Sequence, residues 1–147
     1  MCAYFISLKG KPKGIEFIDS TSLKVCHNIR IPRHKTFDGI AQRGKGNVGW
    51  FYGFKLHFVV NYKGEIVSAK VTTGNVHDTK PVEELAEGLT DRLDGDKGYL
   101  SKALEANLFE KGVKLVTTVR KNMEAKAISI WDRAMLSQHY IIETINN

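Results

Sequence analysis

The chain has 147 residues, of which 42% are hydrophobic, enough for one domain around a single core. No apolar run approaches the roughly 18 residues a membrane span needs, so a membrane partner is not expected. The net charge of +6 is concentrated: between Lys24 and Lys45 stand Lys24, Arg30, Arg33, Lys35, Arg43 and Lys45 against the single acid Asp38, a pattern that attracts a polyanion, nucleic acid first.

The opening, MCAYFISLKGKPKG, is a basic lead-in over residues 1–14, too short and too soon charged for a secretory signal. Cys2 and Cys26 form no CxxC pair and point to a reducing, cytoplasmic setting. The first predicted strand, residues 15–25, puts Ile15, Phe17, Asp19, Thr21, Leu23 and Val25 in one row and Glu16, Ile18, Ser20, Ser22 and Lys24 in the other. Asp19 thus falls in the apolar row, where an unpaired carboxylate costs several kcal/mol or more.

Residues 26–48 carry four glycines and no periodicity and are read as a long basic loop. A hairpin follows. Trp50, Tyr52, Phe54, Leu56, Phe58 and Val60 alternate along its first strand, NYKGE turns at Gly64, and the return covers residues 65–73. HDTKPVEELAEGL reads as a helix with Pro81 in its first turn and Asp78 at its cap. RLDGDKGYL is a short strand ending in a glycine turn. SKALEANLFEKG is a helix between Ser101 and Gly112, VKLVTTVR is a strand, and Ala127 to Asn147 is a helix with Ile128, Trp131, Met135, Ile142 and Ile145 at helical spacing. The order predicts an α/β fold with a mixed central sheet of about five strands and helices on its faces.

Three acids lack an ordinary surface role. Asp19 is one. Asp96 stands at a strand end between Gly95 and Gly98, where ligand sites in open α/β sheets gather, with Asp94 as its rival. Glu143 lies on the last helix beside its apolar stripe. Carboxylates from a strand, a neighbouring strand end and a packed helix suit Mg²⁺ or Mn²⁺, and two such ions about 3.5–4 Å apart serve phosphodiester chemistry. The bland alternative pairs Asp19 with Lys55, Lys97 or His57, makes Asp96 a turn residue and leaves Glu143 at the surface. Cys26, His27, His34 and His57 match no common zinc spacing. Neither GxSxG nor a GxxxxGK[ST] phosphate loop is present.

GIEFIDSTSLKVCHN, GWFYGFKLHFVVN, GNVHDTKPV, GDKGYLSK, VTTVRKNM and IIETIN run in order along the chain. In these stretches it resembles the DDE transposases of bacterial insertion sequences. The resemblance implies a ribonuclease-H-like fold over one domain, residues 1–147. It implies metal-dependent cleavage and strand transfer of double-stranded DNA at insertion-sequence ends and target, by a homo-oligomer when active. The triad it implies is Asp19, Asp96 and Glu143, which resolves Asp96 over Asp94. The ions would activate water for cleavage and then the freed 3′-hydroxyl for attack on target. Candidate DNA contacts are Lys24, Arg30, Arg33, Lys35, Arg43, Lys45, Lys97, Arg120, Lys121 and His139. His139 stands where the family usually has arginine, and histidine cannot reproduce arginine's bidentate phosphate contact. Relative to the family, the N-terminal helical region and the tail beyond Glu143 are missing, so the expectation is a truncated copy with impaired transposition. The alternatives are an inactive remnant that binds DNA or a full-length transposase, and a host ribonuclease-H-like nuclease.

Overall fold

The computed structural model describes residues 9–46 and 48–117. The expected C-terminal helix, with Glu143 and His139, lies outside them, as do Arg120 and Lys121.

Six strands form one mixed sheet: β1 (Ile15–Cys26), β2 (Gln42–Gly46), β3 (Gly49–Asn61), β4 (Ile66–Thr73), β5 (Asp91–Gly95) and β6 (Val113–Thr117). The hydrogen-bonded order is β2-β3-β1-β5-β6, with β4 also on β3. β3 has 13 residues, enough to pair β1 along one edge and to take β2 and then β4 along the other. β1 is antiparallel to β3 and parallel to β5, and β5 is parallel to β6. The meander therefore supplies the antiparallel half, and the alternating helices and strands supply the parallel half.

The basic loop expected over residues 26–48 needs correction. It holds a 3₁₀ turn, Asn28–Arg33, and the strand β2. The sequence of β2, QRGKG, has neither alternation nor branched residues, because its packing needs glycine. A Cβ on Gly44 would collide with the Gly74 carbonyl, so the backbone comes closer there than a side chain permits. The helix expected from HDTKPVEELAEGL shrinks to α1 (Val82–Leu85), flanked by turns, and no side chain caps it. α2 (Lys102–Glu110) is as expected: Ser101 caps it by accepting from the Leu104 amide, and Gly112 follows with φ +82°.

Both sheet faces are covered beside β1. Ile18, Val59 and Leu93 meet Val82 and Leu85 of α1 and Leu104 and Leu108 of α2 in the main core. Phe17, Phe58 and Val60 form a second cluster on the other face, with Ile15 and Leu56 against it. The row containing Glu16 and Ile18 is thus a core face and not the solvent face that its polar residues suggest. Glu16 is fully buried there, with its Oε1 accepting from the amides of Lys13 at 2.6 Å and Gly14 at 3.0 Å. Burial raises its pKa above the ordinary carboxylate value.

Candidate active site

The site is built where β1 and β5 run side by side. Ile18 on β1 and Gly95 on β5 are register partners in a parallel pair. Asp19 and Asp96 are the next residues along each chain. Asp96 keeps an extended backbone, φ −73° and ψ 173°, so alternation carries its side chain to the face opposite Gly95. Asp19 lies in the row of Phe17, on that same face. The parallel register thus ends one residue short of each of two acids that are far apart in sequence. Asp19 is half-buried, and its Oδ1 accepts from the Ser20 amide at 2.8 Å; Asp96 is exposed.

Beneath this end of the sheet lies Tyr99. Its ring packs so tightly against Gly95 that a Cβ there would stand 3.1 Å from Tyr99 Cδ2 and 3.2 Å from Ile18 Cγ2. The Tyr99 hydroxyl is buried without a well-formed hydrogen bond, although the Ser20 hydroxyl is near enough to favour its ionised form. Burial wins, reinforced by the charges of Asp78, Asp19 and Asp96, and the phenol is held well above its ordinary pKa. Three carboxylates thus act electrostatically on one neutral phenol.

The third, Asp78, was expected at a helix cap. Instead it accepts from Lys55 Nζ at 3.0 Å, and the same ammonium donates to the Val76 carbonyl at 3.0 Å. Lys55 is thus tied to Asp78 and the 74–78 loop. His57, its neighbour but one on β3, is fully buried with Nε2 2.8 Å from Thr72 Oγ1, and burial lowers its pKa. Nothing in the spacing of the sequence announces this Lys55–Asp78 tether. A lysine between aromatic strand residues was its only trace.

Asp94 separates from Asp96. It is fully buried and takes a two-pronged contact from Arg92, at 2.5 Å from Nε and 2.9 Å from Nη2. A carboxylate so engaged is a structural group. Among the described residues, no three His, Cys, Asp or Glu side chains gather to hold a metal. Asp19 and Asp96 nevertheless supply hard oxygen donors on one face, the donor chemistry that Mg²⁺ or Mn²⁺ prefers. Lys24, Arg30, Arg33, Lys35, Arg43, Lys45 and Lys97 are all exposed, and none forms an ion pair with another described residue. No described helix is long and apolar enough to cross a membrane.

The mixed sheet with helices packed on it is a ribonuclease-H-like fold. The chain belongs to the transposase DDE domain family, whose model matches residues 9–147. Its fold is similar to that of a piggyBac transposase in a synaptic complex with hairpin DNA, with TM-score 0.52 and 17% identity over 78% of this chain and 24% of that one. It also matches the intasome of simian T-cell lymphotropic virus in complex with the PP2A regulatory subunit B56γ, with TM-score 0.48 and 14% identity, covering 94% of this chain and 39% of that one. The chain thus spans well under half the length of either. No curated protein matches it by sequence.

Proposed function

We propose that this domain cuts and joins double-stranded DNA at the ends of an insertion sequence, with Asp19, Asp96 and Glu143 as its catalytic carboxylates. The observation that supports the reading is the parallel register of β1 and β5, whose last pair, Ile18 and Gly95, immediately precedes Asp19 and Asp96. Family membership supplies the reaction class, a polynucleotidyl transfer.

Asp19 and Asp96 would hold Mg²⁺ or Mn²⁺ together with Glu143. When bound, such ions supply the Lewis acidity that activates a hydroxyl nucleophile and stabilises the leaving oxygen. The chain's own contribution is placement. β1 fixes Asp19 in the centre of the sheet, and the strand end after Gly95 holds Asp96 out toward substrate. Two adjoining carboxylates repel a phosphodiester, so cations must hold the DNA against them. Lys97, next to Asp96, and the exposed set Lys24, Arg30, Arg33, Lys35, Arg43 and Lys45 are suited to that role, with Arg120, Lys121 and His139 as further candidates. The active form in this reading is a homo-oligomer working on insertion-sequence ends and target DNA in the cytoplasm.

A nicking assay on DNA carrying the element's ends tests this. Cleavage should require Mg²⁺ or Mn²⁺ and vanish in Asp19→Ala and Asp96→Ala while DNA binding persists. Metal-independent cleavage, or cleavage surviving both substitutions, would overturn it.

A further inference from the structure

Three of the large exposed apolar residues stand close together. Val48 is 93% exposed, Trp50 66% and Ile29 81%, and all three belong to the β2–β3 ribbon tip or the 3₁₀ turn beside it. The Asn28 side chain donates to the Trp50 carbonyl at 3.1 Å and ties the two together. Trp50 continues the β3 row of Tyr52, Phe54, Leu56 and Phe58. Farther along that row the rings are covered. Tyr52 is buried with its hydroxyl donating to the Phe37 carbonyl at 3.3 Å, and Phe37 meets Phe54 edge-on at 5.6 Å. The cover ends at Trp50, which leaves a large indole in water at the ribbon tip.

Its surroundings are cationic. Lys45 is the register partner of Trp50 across the ribbon, and Arg43 is the partner of Tyr52. Arg30 and Arg33 close the adjoining turn. The core of a protein–protein interface is depleted in charge, whereas an aromatic face among unpaired cations is the composition of a platform for nucleic-acid bases. Phe58, on the same row, is the register partner of Asp19. Eight residues of strand separate it from Trp50, about 26 Å, the length of roughly eight stacked bases.

We propose that Trp50 is a stacking platform for an unpaired base, with Lys45, Arg43, Arg30 and Arg33 holding the flanking phosphates. This rests on the proposed function and adds a preference for locally opened DNA.

The test uses the full 147-residue chain and two duplexes of equal length, one fully paired and one with a single-base bulge marked by 2-aminopurine. Affinity is measured across a salt series. The bulged duplex should bind about tenfold more tightly, with its fluorescence quenched. Trp50→Ala should abolish both the preference and the quenching yet leave affinity for the paired duplex unchanged, and Trp50→Phe should restore part of each. Lys45→Ala should weaken both duplexes alike and reduce the salt dependence. Equal affinity for the two duplexes, or a preference that survives Trp50→Ala, would overturn the platform while leaving DNA binding intact. Failure to bind either duplex would overturn the proposed function as well. If Trp50→Ala instead converts a sedimenting dimer to monomer with no effect on DNA, the indole is a contact between copies and the platform is wrong.

Discussion

Asp94 and Asp96 are two residues apart and behave as different chemical groups. Asp94 is sealed in the sheet against Arg92, so Asp94→Ala removes a two-pronged contact to a buried guanidinium and should cost about 3–5 kcal/mol in denaturant unfolding. Asp96 is exposed, and Asp96→Ala should leave stability within about 0.5 kcal/mol while removing metal-dependent cleavage. Glu16 gives a separate test. Its folded pKa lies above its ordinary value of 4.5, because burial outweighs the amides of Lys13 and Gly14. The folded state therefore holds this proton more tightly, and stability present below pH 4.5 is lost as pH rises through the higher folded value. Glu16→Gln should flatten that part of the stability–pH curve, and an unchanged slope would show that the carboxylate is better solvated than its burial implies. Alternation in the sequence located the row holding Asp19. It gave no sign that Glu16 is buried, because a strand covered on both faces has no solvent row.

At the scale of elements, the Lys55–Asp78 pair ties the 74–78 loop to β3 beside Tyr99. The side chains are 12% and 29% exposed, so the pair is shielded on one side only. Lys55→Met should cost about 1.5–3 kcal/mol, and in an Asp78→Asn background the added cost should shrink, the signature of a direct interaction. Gly95→Ala should cost about 1–3 kcal/mol through crowding against Tyr99 and Ile18, and it should lower cleavage by displacing the Asp96 turn. These contacts explain which elements could be read from sequence. The aromatic alternation of β3 and the Ser101 and Gly112 punctuation of α2 are local signals, and both elements form as expected. β2 owes its existence to pairing with β3 and to the close approach of Gly44 and Gly74, neither of which leaves a periodic trace. The segment 77–89 carries helix-forming residues, but its first half is held by the Lys55 tether, and only four residues remain helical.

For the whole molecule, the resemblance in motifs and the family match agree on a DDE domain, and the sheet has the mixed order that the element sequence implied. The exposed cations between Lys24 and Lys45, outside any ion pair among the described residues, should make DNA affinity fall steeply with salt, and a salt-independent affinity would assign them to solubility alone. The central claim is that Asp19 and Asp96, brought to one rim by parallel strands, share a divalent cation. Titration of the chain with Mn²⁺, followed by electron paramagnetic resonance, tests this without requiring turnover. The account expects saturable binding that is severely weakened in both Asp19→Asn and Asp96→Asn and unchanged in Glu105→Gln. Binding that is absent, or indifferent to both aspartates, would contradict it.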